Sequence, residues 1–539
     1  MAWTRRTFLT RVAAAGGYQA MFTAMQSLGL LAMAETSPLP QLPNNFGAGK
    51  KVVILGAGIA GLVSAYELRK AGFECTVIEA RERPGGRNWS VRKGTKVEFT
   101  DGTVQHCDWE DGNYLNAGPA RLPSIHRIIL GYCEELGVPL EVEINTSRST
   151  LMQADNLNGG KPVEQRQVIN DTRGYVSELL AKSIDQHALD QALSKDDAER
   201  MLAFLKNYGD LQSDYSYKGS ERSGLAIAPG AGPDEEKLRP PLNLHELLAA
   251  DFSRGELYEE QIDWQATMFQ PVGGMDRIPY AFAKSLGSIV QYRCPIQQIR
   301  KTSNGVRVVY TDGATKTTKT IEADYCICTL PITVLAKMDA DTDFSPEKKR
   351  AFTGMKLASL YKIGWESPRF WEKKYNIYGG MSFPQQIVDT VWYPSDRLFS
   401  KTGIILSGFN LELVDVPGRS LLTGLKEMPI GSPTPFGALP TMQAKFEASR
   451  AAVEILHPGH GKLLSKPIYV SWNQIPYSLG CLAFNMFPSV KPVYDELCEP
   501  DGRLLLAGDY ISHLTGWQEG AALSAHRAIK EIAAQVRGS

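Results

Sequence analysis

The chain has 539 residues, enough for two or three domains around a sizeable core. Its 58 basic and 59 acidic side chains leave a formal net charge of −1, which gives no electrostatic reason to expect a nucleic acid or a membrane surface as partner. The eight cysteines contain no C-x-x-C pair and the eight histidines form no metal-ligand cluster, so no metal site is predicted.

The first 34 residues have the pattern of a targeting segment. Arg5 and Arg6 precede a mildly apolar run, Val12 to Ala34, that ends in the small-residue sequence Ala-Met-Ala. This order is typical of a twin-arginine signal peptide, and the polar residues within the run disfavour the alternative, a stable membrane anchor. We therefore expect residues 1–34 to be removed on export and the mature protein to be periplasmic or secreted.

A strand-helix-strand pattern follows between Lys51 and Glu79. The apolar run Val52 to Leu55 predicts a buried strand, and the next residues carry glycines at G-x-G-x-x-G spacing before a helical stripe. These glycines are Gly56, Gly58 and Gly61. They suit, in turn, a tight turn, close approach of a pyrophosphate and close packing of helix on strand, while Glu79 stands where a carboxylate can hold ribose hydroxyls. The pattern predicts a dinucleotide site.

The segment after Glu79 narrows the choice of dinucleotide. Ala80 to Arg87 contains Arg81 and then Gly85-Gly86-Arg87, and it resembles the segment with which flavin amine oxidases wrap FAD. The resemblance implies FAD as a permanently held, non-covalent cofactor. A basic surface loop is the alternative interpretation.

A second motif, at Leu115 to Pro123, reads G-P-x-R-x-P and resembles flavin L-amino acid oxidases, both snake-venom and microbial. By this resemblance Gly118 and Pro119 approach the isoalloxazine, and Arg121 binds the substrate α-carboxylate. Monoamine and polyamine oxidases share the fold but lack this arginine. A planar guanidinium matches a carboxylate with two parallel hydrogen bonds, although a structural arginine paired with an acid is the alternative.

Later segments supply the remaining site residues by the same resemblance. Lys362, in the apolar stretch Ser359 to Trp365, would hold a water against the flavin, unless it reaches solvent instead. Gly516 would accept a hydrogen bond from the substrate amine, and Trp517 would form a wall of the site. Ser407 stands where venom enzymes place a tyrosine that assists the carboxylate.

The resemblance implies a long set of cofactor-binding residues distributed over the chain. They are Gly56, Gly58, Ala60, Gly61, Glu79, Ala80, Arg81, Gly86, Arg87, Gly118, Pro119, Ala120, Arg121, Ile296, Gly508, Asp509, Gly516, Trp517 and Ala521.

The implied fold class is α/β, with a Rossmann-like FAD-binding domain, an α+β substrate domain of the amine-oxidase fold and a helical insertion. We expect the FAD-binding domain to be discontinuous over 48–105, 265–349 and 475–539. The substrate domain would comprise 106–145 and 350–474, and the mainly helical insertion 146–264. Within the insertion His245 is the only candidate for a base.

The implied activity is FAD-dependent oxidation of an L-α-amino acid by O₂ to a keto acid, ammonia and H₂O₂, with Lys362, Arg121 and Trp517 as catalytic residues. A primary-amine or polyamine oxidase is one alternative, because Cys481 lies in a Y-S-x-G-C pattern that resembles monoamine oxidases with a covalent flavin link. An amide-forming flavin monooxygenase and a non-catalytic flavin-binding protein are two others.

The expected partners are therefore a small amino acid and O₂; a homo-oligomer stays open because nothing in the sequence marks an interface. The substrate side chain is not fixed either, although four acids are candidates to face a basic one: Glu366, Asp389, Glu412 and Asp415.

Overall fold

The computed structural model describes residues 42–188, 192–250, 257–260, 262–355, 357–358, 360–411, 436–483 and 490–538. The predicted signal peptide, 1–34, lies outside these residues, so export and a periplasmic or secreted location stay predictions. Among the described helices, none is both long and apolar enough to cross a bilayer.

A five-stranded sheet forms around the predicted strand-helix-strand unit, and all of its neighbouring strands run parallel. In spatial order the strands are Val290–Gln291, Glu74–Ile78, Lys51–Leu55, Tyr325–Cys328 and Leu504–Leu506. The central strand is buried from Val52 to Leu55, which explains its uninterrupted apolar sequence. Parallel strands place all their carboxyl ends at one edge, and this edge is where ligands bind in such sheets.

Helices cover this parallel sheet. Ile59–Lys70 follows the central strand and packs against both Arg277–Leu286 and the C-terminal helix Gln518–Gly538. An antiparallel three-stranded sheet lies in the same half of the chain: Ile296–Lys301, Val306–Thr311 and Thr318–Ala323.

A seven-stranded mixed sheet forms the second large layer. Its strands, in spatial order, are Ser465–Ser471, Leu360–Pro368, Thr402–Leu411, Val391–Trp392, Met381–Pro384, Leu151–Gln153 and Val163–Glu164. Leu360–Pro368 is buried along nearly its whole length and carries Lys362. The helix Met442–Leu456 packs against this sheet, so the sheet holds an aromatic-rich core.

Short ribbons and helices complete the described chain. The two-stranded ribbons pair Ser90–Arg92 with Tyr114–Asn116, Lys96–Glu98 with Val104–His106, Leu140–Ile144 with Thr267–Pro271, Leu225–Ile227 with Lys237–Leu238, and Leu357–Ala358 with Leu482–Ala483. The further α-helices are Arg127–Glu135, Gln165–Asp185, Lys195–Tyr208, Leu244–Ala250, Ile332–Lys337, Pro346–Gly354, Phe370–Tyr375 and Lys491–Cys498.

Part of the predicted insertion, 146–264, is helical. Gln165–Asp185 and Lys195–Tyr208 pack on each other around a small apolar core of their own. Its assignment as a separate unit from residue 146 is wrong at the start, because Leu151–Gln153 and Val163–Glu164 are strands of the seven-stranded sheet. Short strands of this kind leave little periodic signal in a polar stretch. The other domain limits stay predictions.

Candidate active site

A cavity of about 550 Å³ lies at the carboxyl edge of the parallel sheet. Four of its lining residues follow the ends of separate strands: Gly56, Glu79, Thr329 and Gly508. Every residue predicted to bind the cofactor lines this cavity except Gly61, and so does Lys362. These lining residues are Gly56, Gly58, Ala60, Glu79, Ala80, Arg81, Gly86, Arg87, Gly118, Pro119, Ala120, Arg121, Ile296, Lys362, Gly508, Asp509, Gly516, Trp517 and Ala521.

The glycine turn at one end of the cavity requires glycine at two positions for different reasons. Gly56 has φ +100°, a backbone conformation that L side chains rarely adopt. A Cβ atom on Gly61 would lie 2.0 Å from the Gly56 carbonyl oxygen. Gly61 therefore supports the turn from behind by close packing, which is why it does not line the cavity.

Glu79 is held rigidly beside this turn. The side chain is buried, and its Oε2 accepts a hydrogen bond from the Ala57 amide at 2.7 Å while Oε1 accepts from the Arg81 amide at 2.8 Å. Each carboxylate oxygen has a second lone pair, so both can still accept from a ligand hydroxyl. Holding ribose hydroxyls stays the predicted role of this carboxylate.

Two buried amide side chains provide an independent test of whether a polar ligand suits this cavity. Asn88 Nδ2 donates to Gln518 Oε1 at 2.6 Å, and both residues line the cavity. Asn88 Oδ1 and Gln518 Nε2 are buried and find no hydrogen-bond partner among the described residues. Because unsatisfied buried polar atoms are costly, one acceptor and one donor here fit a ligand with hydrogen-bonding groups, as FAD has.

Asp509 ties two predicted segments together. It forms an ion pair with Arg87, and its Oδ2 accepts a hydrogen bond from the Gly516 amide at 2.9 Å. This fixes the turn that leads into the C-terminal helix, whose first residues Gln518 and Ala521 line the cavity. A helix N-terminus in this position favours negatively polarised groups of a ligand.

Arg121 is a buried cation in the cavity wall, with 5% of its surface exposed. Its Cζ lies 4.2 Å from the ring centre of Trp264 and 4.1 Å from that of Trp392, and Nη1 donates to Asn145 Oδ1. Indole rings stabilise a stacked guanidinium and fix its plane. The arrangement holds the guanidinium in a fixed plane at the cavity wall.

Lys362 is also fully buried, so the alternative that it reaches solvent is excluded. Its Nζ donates to the carbonyl oxygens of Asn116 at 2.8 Å and Gly118 at 2.7 Å. Burial, assisted by the nearby Arg121 charge, lowers the pKa of Lys362 to about 7. The side chain can therefore hold or release a proton near neutral pH.

Tryptophans form the walls between these cations. Trp264 and Trp517 meet edge to face with ring centres 5.6 Å apart, and Trp392 lies 5.6 Å from Lys362 Nζ. Behind Trp517 stands the buried His126, at 4.9 Å between ring centres. This end of the cavity is thus aromatic, and the charged side chains that line it in the described part of the chain are Arg121 and Lys362.

The structure does not bring Ser407 to this cavity, which corrects the prediction that it binds substrate. Ser407 Oγ donates to the Ser449 carbonyl at 2.6 Å, so it faces the helix Met442–Leu456. Ser407 pairs with Val391, and the next pair along the ladder joins Leu406 to Trp392. Because side chains alternate across a strand, Trp392 faces the site and Ser407 faces away.

Sequence reasoning missed Trp264 and Trp392. Trp392 lies in a short run of β-branched and aromatic residues, Thr390 to Tyr393, which is a strand signal that could have raised it as a candidate. Trp264 stands at the end of the insertion, and no spacing rule points to it.

The remaining polar candidates lie elsewhere. His245 is exposed and does not line the cavity. Glu366 is buried with Lys466 as its ion-pair partner at 2.9 Å, and neither it nor Asp389 lines the cavity. Glu412 and Asp415 lie outside the described residues.

Cys481 lines the cavity, and its carbonyl oxygen accepts a hydrogen bond from Arg87. Burial raises the pKa of its thiol to about 11. Since the thiolate is the reactive form, this environment agrees with the prediction of a non-covalent cofactor, which stays a prediction. In the described part of the chain no group of His, Cys, Asp and Glu could hold a metal ion.

Known proteins resemble the chain over nearly its whole length. "Putative L-amino-acid oxidase YobN" of Bacillus subtilis (strain 168) is 26% identical over 504 residues, covering 90% of this chain and 94% of its own. An L-amino-acid oxidase of the fish Siganus canaliculatus is 27% identical over 492 residues, with 89% and 85% covered.

Solved structures share the fold. A triple mutant of putrescine oxidase, redesigned in its cofactor binding, aligns with a TM-score of 0.57 and 18% identity over 90% of this chain and 99% of its own. Cyclohexylamine oxidase from Brevibacterium oxydans IH-35A gives a TM-score of 0.57 at 15% identity, with the same shares covered. The family model of flavin containing amine oxidoreductases matches residues 59–533. The chain therefore belongs to the flavin containing amine oxidoreductases.

Proposed function

We propose that this flavoenzyme oxidises an L-α-amino acid. The substrate loses two electrons and two protons across its Cα–N bond to give the imino acid, and O₂ takes them up to give H₂O₂. Water then hydrolyses the imino acid to the keto acid and ammonia. The relatives named L-amino-acid oxidase, at 26% and 27% identity, support this assignment.

The observation that carries the proposal is Arg121. Its buried guanidinium lies in the cavity wall, stacked on Trp264 and Trp392 and oriented by Asn145, where a bound anion can reach it. An α-carboxylate supplies such an anion with matching bidentate geometry. Carboxylate binding would fix one end of the substrate.

Gly516 is our proposed anchor for the amine. Its N–H is already engaged by Asp509, and this bond holds the turn in place. The Gly516 carbonyl is then the proposed acceptor, while Trp517 packs beside it as a wall. Two fixed ends would orient the Cα–H bond, and such orientation can lower a barrier by several kcal/mol.

FAD suits the residues at the other end of the cavity, and when bound it supplies the two-electron acceptor for the oxidation. Glu79, the glycine turn and the amides of Asn88 and Gln518 would hold it. Lys362, with its pKa near 7, is our proposed site for a water or a proton at Nζ. The tryptophan walls would exclude bulk water from the reacting atoms.

Oxidation of a simple amine or polyamine is the second candidate, because the solved structures that share the fold include amine oxidases, and aromatic walls can hold an ammonium. The positive charges of Arg121 and Lys362 oppose this second candidate, because the second ammonium of a polyamine would lie near both of them. An amide-forming monooxygenase would use the same site and differ in its products, an amide, CO₂ and water in place of an imino acid and H₂O₂.

Arg121→Met should lower kcat/KM for the best L-amino acid by about 1,000-fold, because a buried charge pair is lost, and leave the decarboxylated amine unaffected or improved. Steady-state H₂O₂ production measures both. Arg450→Met is the matched control, since Arg450 also stacks on a tryptophan, Trp365 at 4.6 Å, but lies outside the cavity. Equal losses for acid and amine would contradict the carboxylate role.

A further inference from the structure

A second cavity, of about 60 Å³, adjoins the first and shares Trp392 and Ala120 with it as walls. Its lining includes four ionisable side chains that nothing in the proposed reaction uses: Glu143, Asp396, Tyr114 and Tyr393. The space is large enough for water. A polar chamber therefore stands directly behind the tryptophan that stacks on Arg121.

Glu143 is the most deeply buried acid of this chamber. It sits on the strand Leu140–Ile144, opposite Met268, with 2% of its surface exposed. Its oxygens have no hydrogen-bond partner of good geometry among the described residues, although the side chain of Trp392 is a donor that favours its charged form. A buried carboxyl with so few donors is stabilised in its charged form mainly by nearby cations.

Glu143 has cations on one side and phenols and a carboxyl group on the other. Arg121 and Lys362 face it from the larger cavity, and both favour its ionised form. Tyr114, Tyr393 and Asp396 face it from the smaller one; Tyr393 is buried, Tyr114 is half-buried, and burial raises the pKa of Asp396. Against those cations, burial raises the pKa of Glu143 itself to about 7. Its ionisation thus depends first on Arg121, and then on Trp392 and Lys362.

We propose that Glu143 is the internal counter-charge of the substrate site and takes up a proton when a carboxylate binds Arg121. The inference rests on the proposed function, since it assumes that Arg121 receives the substrate carboxylate. The bound carboxylate is a second negative charge beside the Arg121 guanidinium. It partly offsets the attraction of Arg121 that keeps Glu143 ionised, as for any pair of neighbouring carboxylates, so Glu143 binds a proton more readily. Glu143 acts through Arg121 and is a positioning residue.

The proton that Glu143 takes up matches the proton that the substrate ammonium must lose. An amino acid arrives as a zwitterion, and its ammonium must lose one proton before the amine can be oxidised. When that N–H bond breaks and an O–H bond forms on Glu143, by way of solvent, the charge of the buried site is unchanged. The substrate site then holds one guanidinium against one carboxylate, with Glu143 neutral.

Calorimetric titration of the FAD-loaded enzyme with benzoate tests this without turnover. Benzoate has a carboxylate, no amino group and a ring that suits the tryptophan walls. Titrations at pH 5 and pH 8, in buffers of different ionisation enthalpy, count the protons taken up. We expect more than half a proton per benzoate at pH 8, where Glu143 starts ionised, and almost none at pH 5. Affinity should fall up to tenfold per pH unit above 7.

Glu143→Gln should bind benzoate with no uptake and with an affinity that changes little from pH 7 to 8. Glu141→Gln, on the same strand, is the matched control and should keep the uptake. If the Gln variant does not yield holoenzyme, the same titration of Lys362→Met decides, because uptake that is lost there belongs to Lys362 and overturns the inference, whereas uptake that persists supports it.

Benzoate binding that needs Arg121 but takes up no proton at pH 8 would overturn the inference and leave the proposed function standing. Uptake that persists in Glu143→Gln would place the proton on Lys362 and overturn it as well. Benzoate that binds equally well to Arg121→Met would contradict the proposed function, and the inference with it.

Discussion

The two ends of the large cavity are built in different ways. The nucleotide end consists mostly of backbone: a glycine turn, a helix N-terminus and Glu79 fixed by two amides. The substrate end consists of side chains, Arg121, Lys362 and three tryptophans, brought together from distant parts of the chain. Local sequence determines the first end, and tertiary packing determines the second. Substitutions should therefore act differently at the two ends.

The largest effect is expected at the nucleotide end. Gly61→Ala would place a Cβ atom 2.0 Å from the Gly56 carbonyl oxygen, so the turn must open and FAD binding should be lost together with all activity. The ratio of flavin to protein absorbance in purified enzyme measures this. Gly131→Ala is the matched control, a helical glycine whose added Cβ would meet nothing within 4 Å, and it should retain full flavin content. A yellow, active Gly61→Ala enzyme would show that the turn is not built as described.

A smaller, purely catalytic effect is expected at the substrate end. Trp392→Leu should keep FAD but lower kcat/KM for L-amino acids by about 10- to 100-fold, because Arg121 loses one of its stacked rings, worth about 1–3 kcal/mol. Ser407→Ala, on the paired strand, should change kcat/KM less than about twofold while lowering stability by about 1 kcal/mol through its lost hydrogen bond. The reverse ranking would mean that Ser407 reaches the substrate after all.

The last expected effect is on the pH dependence of the free energy of unfolding. Lys362 has a folded pKa of about 7 against 10.5 in the unfolded chain, so between those values the unfolded state binds more protons and stability rises with pH. The free energy of unfolding is highest above the unfolded pKa and falls by at most about 1.4 kcal/mol per pH unit as the pH drops from 10.5 to about 7. Lys362→Met should lack that rise. Chemical unfolding at pH 7, 8 and 9 tests it, and parallel curves for both proteins would contradict a buried, easily deprotonated lysine.

The two ends of the cavity also differ in how far the sequence predicts them. The G-x-G-x-x-G spacing and Glu79 predicted the turn and its carboxylate because each residue acts within one strand-helix-strand unit. Arg121, Lys362 and Trp517 were found through a family resemblance, since no local rule joins residues so far apart. Trp264 and Trp392 were missed for the same reason.

Ser407 shows how a small error in position defeats a prediction that rests on family resemblance. Resemblance pointed to the strand Thr402–Leu411, which does lie beside the site, but the side chain on the correct face belongs to the neighbouring strand. A shift of one residue moves a side chain to the other side of a sheet. Only the pairing of Val391 with Ser407 reveals which residue faces Arg121.

The most direct test of the central claim is anaerobic reduction of the flavin, followed by loss of its visible absorbance. Enzyme is mixed with L-amino acids, their D-enantiomers and the corresponding decarboxylated amines. If Arg121 anchors a carboxylate, the L-amino acids alone should bleach the flavin, and the panel identifies the preferred side chain. Bleaching by the amines, with L-amino acids inert, would contradict an amino-acid oxidase.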